Sequence, residues 1–193
     1  MSVAIIKYNA GNIQSVLFAL ERIGITAVVT DNPEQLQSAD KVIFPGVGEA
    51  STAMQYLKER NLDKLIISLK QPILGICLGM QLLCDYSEEN NTACLGIFKT
   101  QVKKFATDFK VPQIGWNNIT TISNPLFKEI SSSPYCYFVH SYFAELCNNT
   151  IATTEYEVKF SSGLAKDNFY GVQFHPEKSA TAGEQILKNF LKI

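Results

Sequence analysis

The sequence predicts an α/β fold: a central, mostly parallel sheet flanked by helices, built around a cysteine nucleophile elbow and followed by a β-rich second half. Three observations predict it. Short β-branched runs alternate with helical patterns through the first part of the chain, as strand–helix–strand units do. The run Pro72-Ile73-Leu74 leads through Gly75-Ile76-Cys77-Leu78-Gly79-Met80-Gln81 into a helical pattern, the form of a nucleophile elbow with cysteine in place of serine. Beyond Thr92 the pattern becomes shorter β-like runs separated by turn residues.

Taken in order, Val3 to Tyr8 reads as a strand and Asn9-Ala10-Gly11-Asn12 as a loop. Ile13, Val16, Leu17, Leu20 and Ile23 then fall at helical spacing, with Gly24 as the stop. Val28-Val29 marks a second strand, Pro33 starts a short helix, and Lys41-Val42-Ile43-Phe44 is a third strand. It runs into Pro45-Gly46-Val47-Gly48-Glu49-Ala50-Ser51 and a helical segment to about Arg60. After the elbow, Asp85 to Thr92 reads as a polar loop. Strands are expected near Ile97 to Phe105, Ile119 to Ile122, Cys136 to Val139, Ile151 to Tyr156 and Phe169 to Phe174. Gly183 to Leu191 closes the chain with an apolar helical face of Ile186, Leu187, Phe190 and Leu191.

Composition narrows the function. A chain of 193 residues, 46% hydrophobic and 18% charged, suits one domain over 1–193 with a sizeable core. A net charge of −1 without a basic cluster argues against nucleic acid or an anionic membrane as the main partner. No apolar stretch approaches membrane-spanning length, and the N-terminus goes directly into a strand-like run, so a cytoplasmic location is expected. Five cysteines without Cys-x-x-Cys spacing and only two histidines support neither a disulfide framework nor a metal site. No cofactor is expected.

Cys77 would sit at a helix start, where free amides and the helix dipole favour the thiolate. Taken alone it would equally suit a buried structural cysteine. In an open parallel sheet, loops at the carboxyl ends of strands converge on one crevice, which brings the Gly46-Val47-Gly48 loop toward the elbow. The amides of Val47 and Leu78 are therefore candidates for an oxyanion hole. His175 lies in Phe174-His175-Pro176-Glu177, where Pro176 holds it extended. Residues two apart in an extended segment share a face, so Glu177 is placed to orient His175 while the other ring nitrogen faces Cys77. That is a nucleophile, a base and an orienter. His140 is the alternative base, although no carboxylate lies two residues from it.

The stretches Gly75 to Gln81 and Phe174-His175-Pro176-Glu177-Lys178-Ser179 together resemble the class I glutamine amidotransferase family, whose triad is Cys-His-Glu. Three more stretches look like the glutaminase subunits of imidazole glycerol phosphate synthases. They are Asn9 to Asn12 with Ser15-Val16, Gln113-Ile114-Gly115-Trp116-Asn117, and Tyr137-Phe138-Val139-His140-Ser141-Tyr142. The resemblance covers nearly the whole chain, with Ala10 as a departure where the family usually has glycine or a larger residue.

The resemblance implies glutamine hydrolysis by Cys77, His175 and Glu177, with Gly48, Gln81, Glu89, His140, Ser141 and Tyr142 holding the substrate. It also implies a partner, a cyclase subunit with a (β/α)₈ barrel that receives the ammonia through a channel and makes imidazole glycerol phosphate in histidine biosynthesis. Asn12, Trp116, Tyr137 and Lys178 would lie near that interface. From the residues, Gly115 and Asn117-Asn118 mark a loop that presents Trp116. Three other readings stay open here: the same chemistry supplying ammonia to a different synthase, such as a sugar-modifying amidotransferase; a cysteine peptidase or deglycase on a similar scaffold; and an inactive scaffold for a barrel partner.

Overall fold

The computed structural model describes residues 1–9, 11–106 and 110–193; Ala10, singled out in the first loop, lies outside them. The elements run β1 (Val3–Ile6), α1 (Ile13–Arg22), β2 (Ala27–Thr30), α2 (Pro33–Ser38), β3 (Lys41–Phe44), α3 (Ala50–Glu59), α4 (Leu62–Ser68), β4 (Ile73–Ile76) and α5 (Leu78–Leu82). Then come β5 (Cys84–Ser87), β6 (Thr92–Ala93), β7 (Phe98–Lys104), β8 (Gln113–Asn118), β9 (Thr120–Thr121), β10 (Tyr135–His140), β11 (Tyr142–Ala144), β12 (Thr150–Tyr156), β13 (Val158–Lys166), β14 (Phe169–Val172) and α6 (Ala180–Lys192).

The heart of the main sheet is the run β2-β1-β3-β4-β14, every neighbouring pair of which is parallel. Beyond β14 the sheet continues through β13, β11, β7, β5 and β6, mainly in antiparallel pairs, with β12 and β9 branching from β13. This is the α/β architecture with a β-rich second half that the sequence predicts.

β1, β3, β4 and β14 are largely buried on both faces, which is why they read as continuous apolar runs, whereas Val28 of the edge strand β2 is exposed. In β1, Ala4 and Ile6 belong to one core and Val3 and Ile5 to the other, following the two-residue period of a strand. The first core gathers Ala53, Met54 and Leu57 of α3 and Met80 and Leu82 of α5. The second gathers Val16 and Leu20 of α1 and Ile186 and Phe190 of α6. Gly24 ends the first helical unit at φ +78, a backbone that glycine adopts without strain.

Four expectations change. The stretch from Asp85 to Thr92 is not simply a loop: β5 enters it, and a 3₁₀ turn spans Glu89–Asn91. The segment around Trp116 is a strand, because β8 pairs antiparallel with β10 in a separate two-stranded sheet. α4 was not anticipated, since Leu62 and Ile66 give it only a short buried stripe. β13 was not anticipated either; its centre, Ser161-Ser162-Gly163, is buried among other strands and shows no alternation. Among the described residues no helix is long and apolar enough to cross a membrane.

Candidate active site

The elbow is enforced by backbone crowding. A Cβ on Gly79 would come within 1.8 Å of the Phe44 carbonyl oxygen, and one on Gly75 would meet the backbone of Gly79 and Met80 at 2.8–2.9 Å. Small residues on both sides of Cys77 therefore let α5 turn back onto β3 and β4. Cys77 takes φ 53, ψ −110, a strained conformation of the kind held only where the surroundings dictate it. Its amide is fixed to the Val172 carbonyl of β14 at 2.8 Å. α5 spans five residues, so the amides at its start matter more than a long-range helix dipole.

His175 follows β14, and its backbone is extended at φ −98, ψ 96, as Pro176 requires. Its amide donates to the Tyr137 carbonyl at 2.9 Å, and its carbonyl accepts from Ser179 Oγ at 2.6 Å. His175 Nδ1 lies 2.7 Å from Glu177 Oε1, with both side chains buried. Extended-strand parity would put the two side chains on one face. In the structure Pro176–Lys178 is a 3₁₀ turn, and that turn folds Glu177 back under the ring.

The imidazole of His175 feels both Cys77 and Glu177. Burial opposes a charge on the imidazole, but the bonds and charges of Cys77 and Glu177 outweigh it and push the His175 pKa up to about 10. A protonated imidazolium beside a sulfur favours the sulfur anion. Glu177 Oε1 also accepts from Asn12 Nδ2 at 2.6 Å. Asn12 begins α1 in the left-handed region, φ 72, without using its side chain as a cap.

A cavity of about 260 Å³ opens over Cys77 and is lined by Val47, Gly48, Leu78, Gln81, Glu89, Pro112, Val139, His140, Ser141 and Tyr142. All six residues expected to hold substrate, and both expected oxyanion residues, line this one space. Their side chains differ in availability. The Gln81 amide nitrogen is spent on the Tyr142 carbonyl and on Gln173 Oε1, each at 2.9 Å. Glu89 Oε2 accepts from the Ala50 amide at 2.7 Å; burial raises its pKa, partly offset by that bond.

His140 is a structural histidine. Its Nδ1 faces the Tyr142 carbonyl at 2.7 Å and its Nε2 faces Gln113 Oε1 at 2.9 Å. A carbonyl can only accept, so the Nδ1–H tautomer is the one that fits, with the Gln113 amide turned to donate to Nε2. Burial, together with the charge on His175, pulls its pKa down to about 4 against that one bond. A ring neutral and committed on both sides does not act as the base.

The Leu78 amide donates to the Gly46 carbonyl at 3.2 Å. One of the two expected oxyanion donors is thus occupied within the protein. Val47 packs beside the first loop, where a Cβ on Gly11 would lie 3.2 Å from its Cγ2.

On the outer face of the two-stranded sheet, Trp116 pairs with Tyr137 across the strands. Their rings are 5.9 Å apart and edge-on, and Lys178 Nζ lies 5.9 Å from the Tyr137 ring. Trp116 is 51% and Ile114 59% exposed. Trp116, Tyr137 and Lys178 therefore form one patch, whereas Asn12 is tied to Glu177. Sequence reasoning passed over Gln173, which reaches Cys77 Sγ at 3.7 Å through Nε2. Its one local signal was its place two residues before His175; β14 ends at Val172, and Gln173 and Phe174 form a bend that turns the chain toward the site.

The glutamine amidotransferase class-I family model matches residues 4–193. The chain belongs to the class I glutamine amidotransferase family. It is 57% identical over 196 residues to the imidazole glycerol phosphate synthase subunit HisH of Bacteroides fragilis (strain YCH46), covering 100% of both chains. It is 48% identical over 197 residues to the subunit of that name from Yersinia pestis, again covering 100% of both. In fold it resembles a crystal structure of a glutamine amidotransferase with a TM-score of 0.77, at 19% identity, covering 100% of this chain and 98% of that one.

Proposed function

We infer that the chain is the glutaminase subunit of an imidazole glycerol phosphate synthase in histidine biosynthesis, and that Cys77, His175 and Glu177 hydrolyse L-glutamine to glutamate and ammonia. One observation carries the chemistry: a single cavity holds the strained Cys77 at its wall, with His175 and Glu177 buried behind it. Identities of 57% and 48% over whole chains support the pathway assignment.

In this reading the sulfur anion of Cys77 attacks the side-chain amide carbon, forming the carbon–sulfur bond while the carbonyl electron pair moves to oxygen. Collapse of that intermediate expels ammonia, which takes its proton from His175. Water then attacks the thioester, giving its proton to His175, and the sulfur leaves as the anion. Glu177 holds the ring through Nδ1, and Asn12 holds Glu177. Gly48, Gln81, Glu89 and the 140–142 segment shape the substrate space, with His140 contributing as a neutral brace.

Turning over the Gly46–Val47 peptide would withdraw the carbonyl that now occupies the Leu78 amide and present the Val47 amide beside it. We propose that binding of the partner and its ligand favours this arrangement. Ammonia in neutral water is mostly protonated and no longer nucleophilic, so it must be passed on dry. The partner is proposed to be a cyclase with a (β/α)₈ barrel, docked on the patch of Trp116, Tyr137 and Lys178 near Asn12. The family match over 4–193 supports reading the chain as one glutaminase domain, and a cytoplasmic location suits its biosynthetic role.

The test supplies the cyclase with either ammonium salt or glutamine. Imidazole glycerol phosphate should form from ammonium without this chain, and from glutamine only with it. Formation from glutamine that persisted with a Cys77→Ala chain would overturn the assignment.

A further inference from the structure

Gln173 is fully buried between β14 and His175. Its carboxamide bridges the nucleophile and the wall of the cavity, with Nε2 3.7 Å from Cys77 Sγ and Oε1 accepting from Gln81 Nε2 at 2.9 Å. The direction of this bridge is fixed by chemistry. Gln81 Nε2 also donates to the Tyr142 backbone carbonyl at 2.9 Å, and a carbonyl only accepts, so this end of Gln81 must be nitrogen. The Gln173 oxygen must then face Gln81, and its NH₂ must face the sulfur. Turning the Gln173 amide over would set two NH₂ groups against each other.

The two neutral groups at the sulfur act in opposite senses. The Val139 carbonyl, 3.7 Å from Sγ, can accept from a thiol but repels a thiolate. Gln173 can donate to the thiolate, and hydrogen bonds to an ionised partner are the stronger kind. The Gln81 link is a structural preload: the amide is held in the donating orientation before substrate arrives, with no reorganisation left for the reaction.

We propose that Gln173 is a catalytic residue, an amide donor that stabilises the Cys77 sulfur anion both before it attacks and when it leaves the thioester, held in direction by Gln81 and the Tyr142 carbonyl. This rests on Cys77 being the nucleophile of glutamine hydrolysis. It makes Gln81 a positioning residue as well as part of the cavity wall, and it connects the segment expected to hold substrate to the reacting atom through two side chains.

The experiment uses Gln173→Met in the full chain, which keeps the length and removes the donor. Iodoacetamide labelling of Cys77, followed by peptide mass spectrometry so that the other four cysteines are counted separately, is measured from pH 5 to 9. Glutamine hydrolysis is measured with the partner present. The expected result is an alkylation curve displaced to higher pH, and a kcat roughly 10–100-fold lower, the size of a hydrogen bond to a charged group, with a smaller change in KM. An unchanged alkylation curve and unchanged kcat would overturn the proposal.

A Cys77→Ala chain run in parallel separates the two ideas, because activity surviving there defeats the nucleophile assignment and not the Gln173 role alone. Should Gln173→Met fail to fold by circular dichroism, the side-chain ¹⁵N amide signals of Gln173 in the unmodified chain are followed across the same pH range. Signals that move with the Cys77 ionisation support the contact, and signals that stay fixed overturn it.

Discussion

Leu78 donates its amide to the carbonyl oxygen of Gly46 across 3.2 Å, so the group best placed to receive the negative oxygen of a tetrahedral intermediate is already occupied. An oxyanion donor is worth about 10²–10³ in rate. The isolated chain should therefore hydrolyse glutamine at least about 100-fold more slowly than the chain with its partner and the partner's ligand. Steady-state glutamate release checks this, and equal rates would show that the hole needs no rearrangement.

The two histidines should titrate in opposite directions. His175 is pushed up to about 10 and His140 down to about 4, against about 6.5 in an unfolded chain. Between pH 4 and 6.5 the unfolded chain binds the His140 proton and the fold does not, so this contribution to stability is present above 6.5 and lost as pH falls toward 4. His175 has the opposite sign, its contribution being full below 6.5 and lost as pH rises through about 10. With only two histidines in the chain, the ring proton signals in an NMR titration resolve both. One should remain charged at pH 8 and the other neutral at pH 5.

Glu177→Gln should lower kcat by about 10²–10⁴-fold, because the ring loses the carboxylate that orients and charges it. Asn12→Ala should cost less, about tenfold, as one hydrogen bond to that carboxylate is lost. The His175 ring signal should move toward neutral pH in the first variant and only slightly in the second.

Gly79→Ala is expected to destabilise the fold by about 1–3 kcal/mol, toward the upper end. The new methyl would lie 1.8 Å from a backbone oxygen of β3, and no side chain there can yield. Urea unfolding measures the loss; a midpoint equal to that of the unmodified chain would contradict the crowded-elbow account.

Trp116→Ala should leave the thermal midpoint nearly unchanged, since the side chain is half exposed. Affinity for the cyclase should fall about tenfold or more, as for an aromatic anchor. Calorimetric titration against the partner distinguishes this from a merely decorative surface residue.

The parts of the fold legible in the sequence are those where local pattern and burial agree. β3 ends where its apolar run ends, and the elbow's glycines declare a crowding that the structure measures. β13 was hidden because its buried centre of small residues, Ser161 to Gly163, has neither alternation nor bulk. Trp116 looked like a loop residue because Gly115 and two asparagines flank it, yet pairing with β10 supplies the hydrogen bonds that local propensity does not. Within the site, residue types announced Cys77, His175 and Glu177. The commitments of His140 to Gln113 and of Gln173 to Cys77 depend on contacts 27 and 96 positions apart, which no local pattern encodes.

The central claim is that Cys77 forms a covalent glutamyl intermediate. Its most direct measurement is the intact mass of the chain, acid-quenched during turnover of glutamine with the partner present. The account predicts a species heavier by one glutamyl group, located on the Cys77 peptide and absent from Cys77→Ala. Turnover without such a species under rapid quenching, or undiminished turnover by Cys77→Ala, would contradict it.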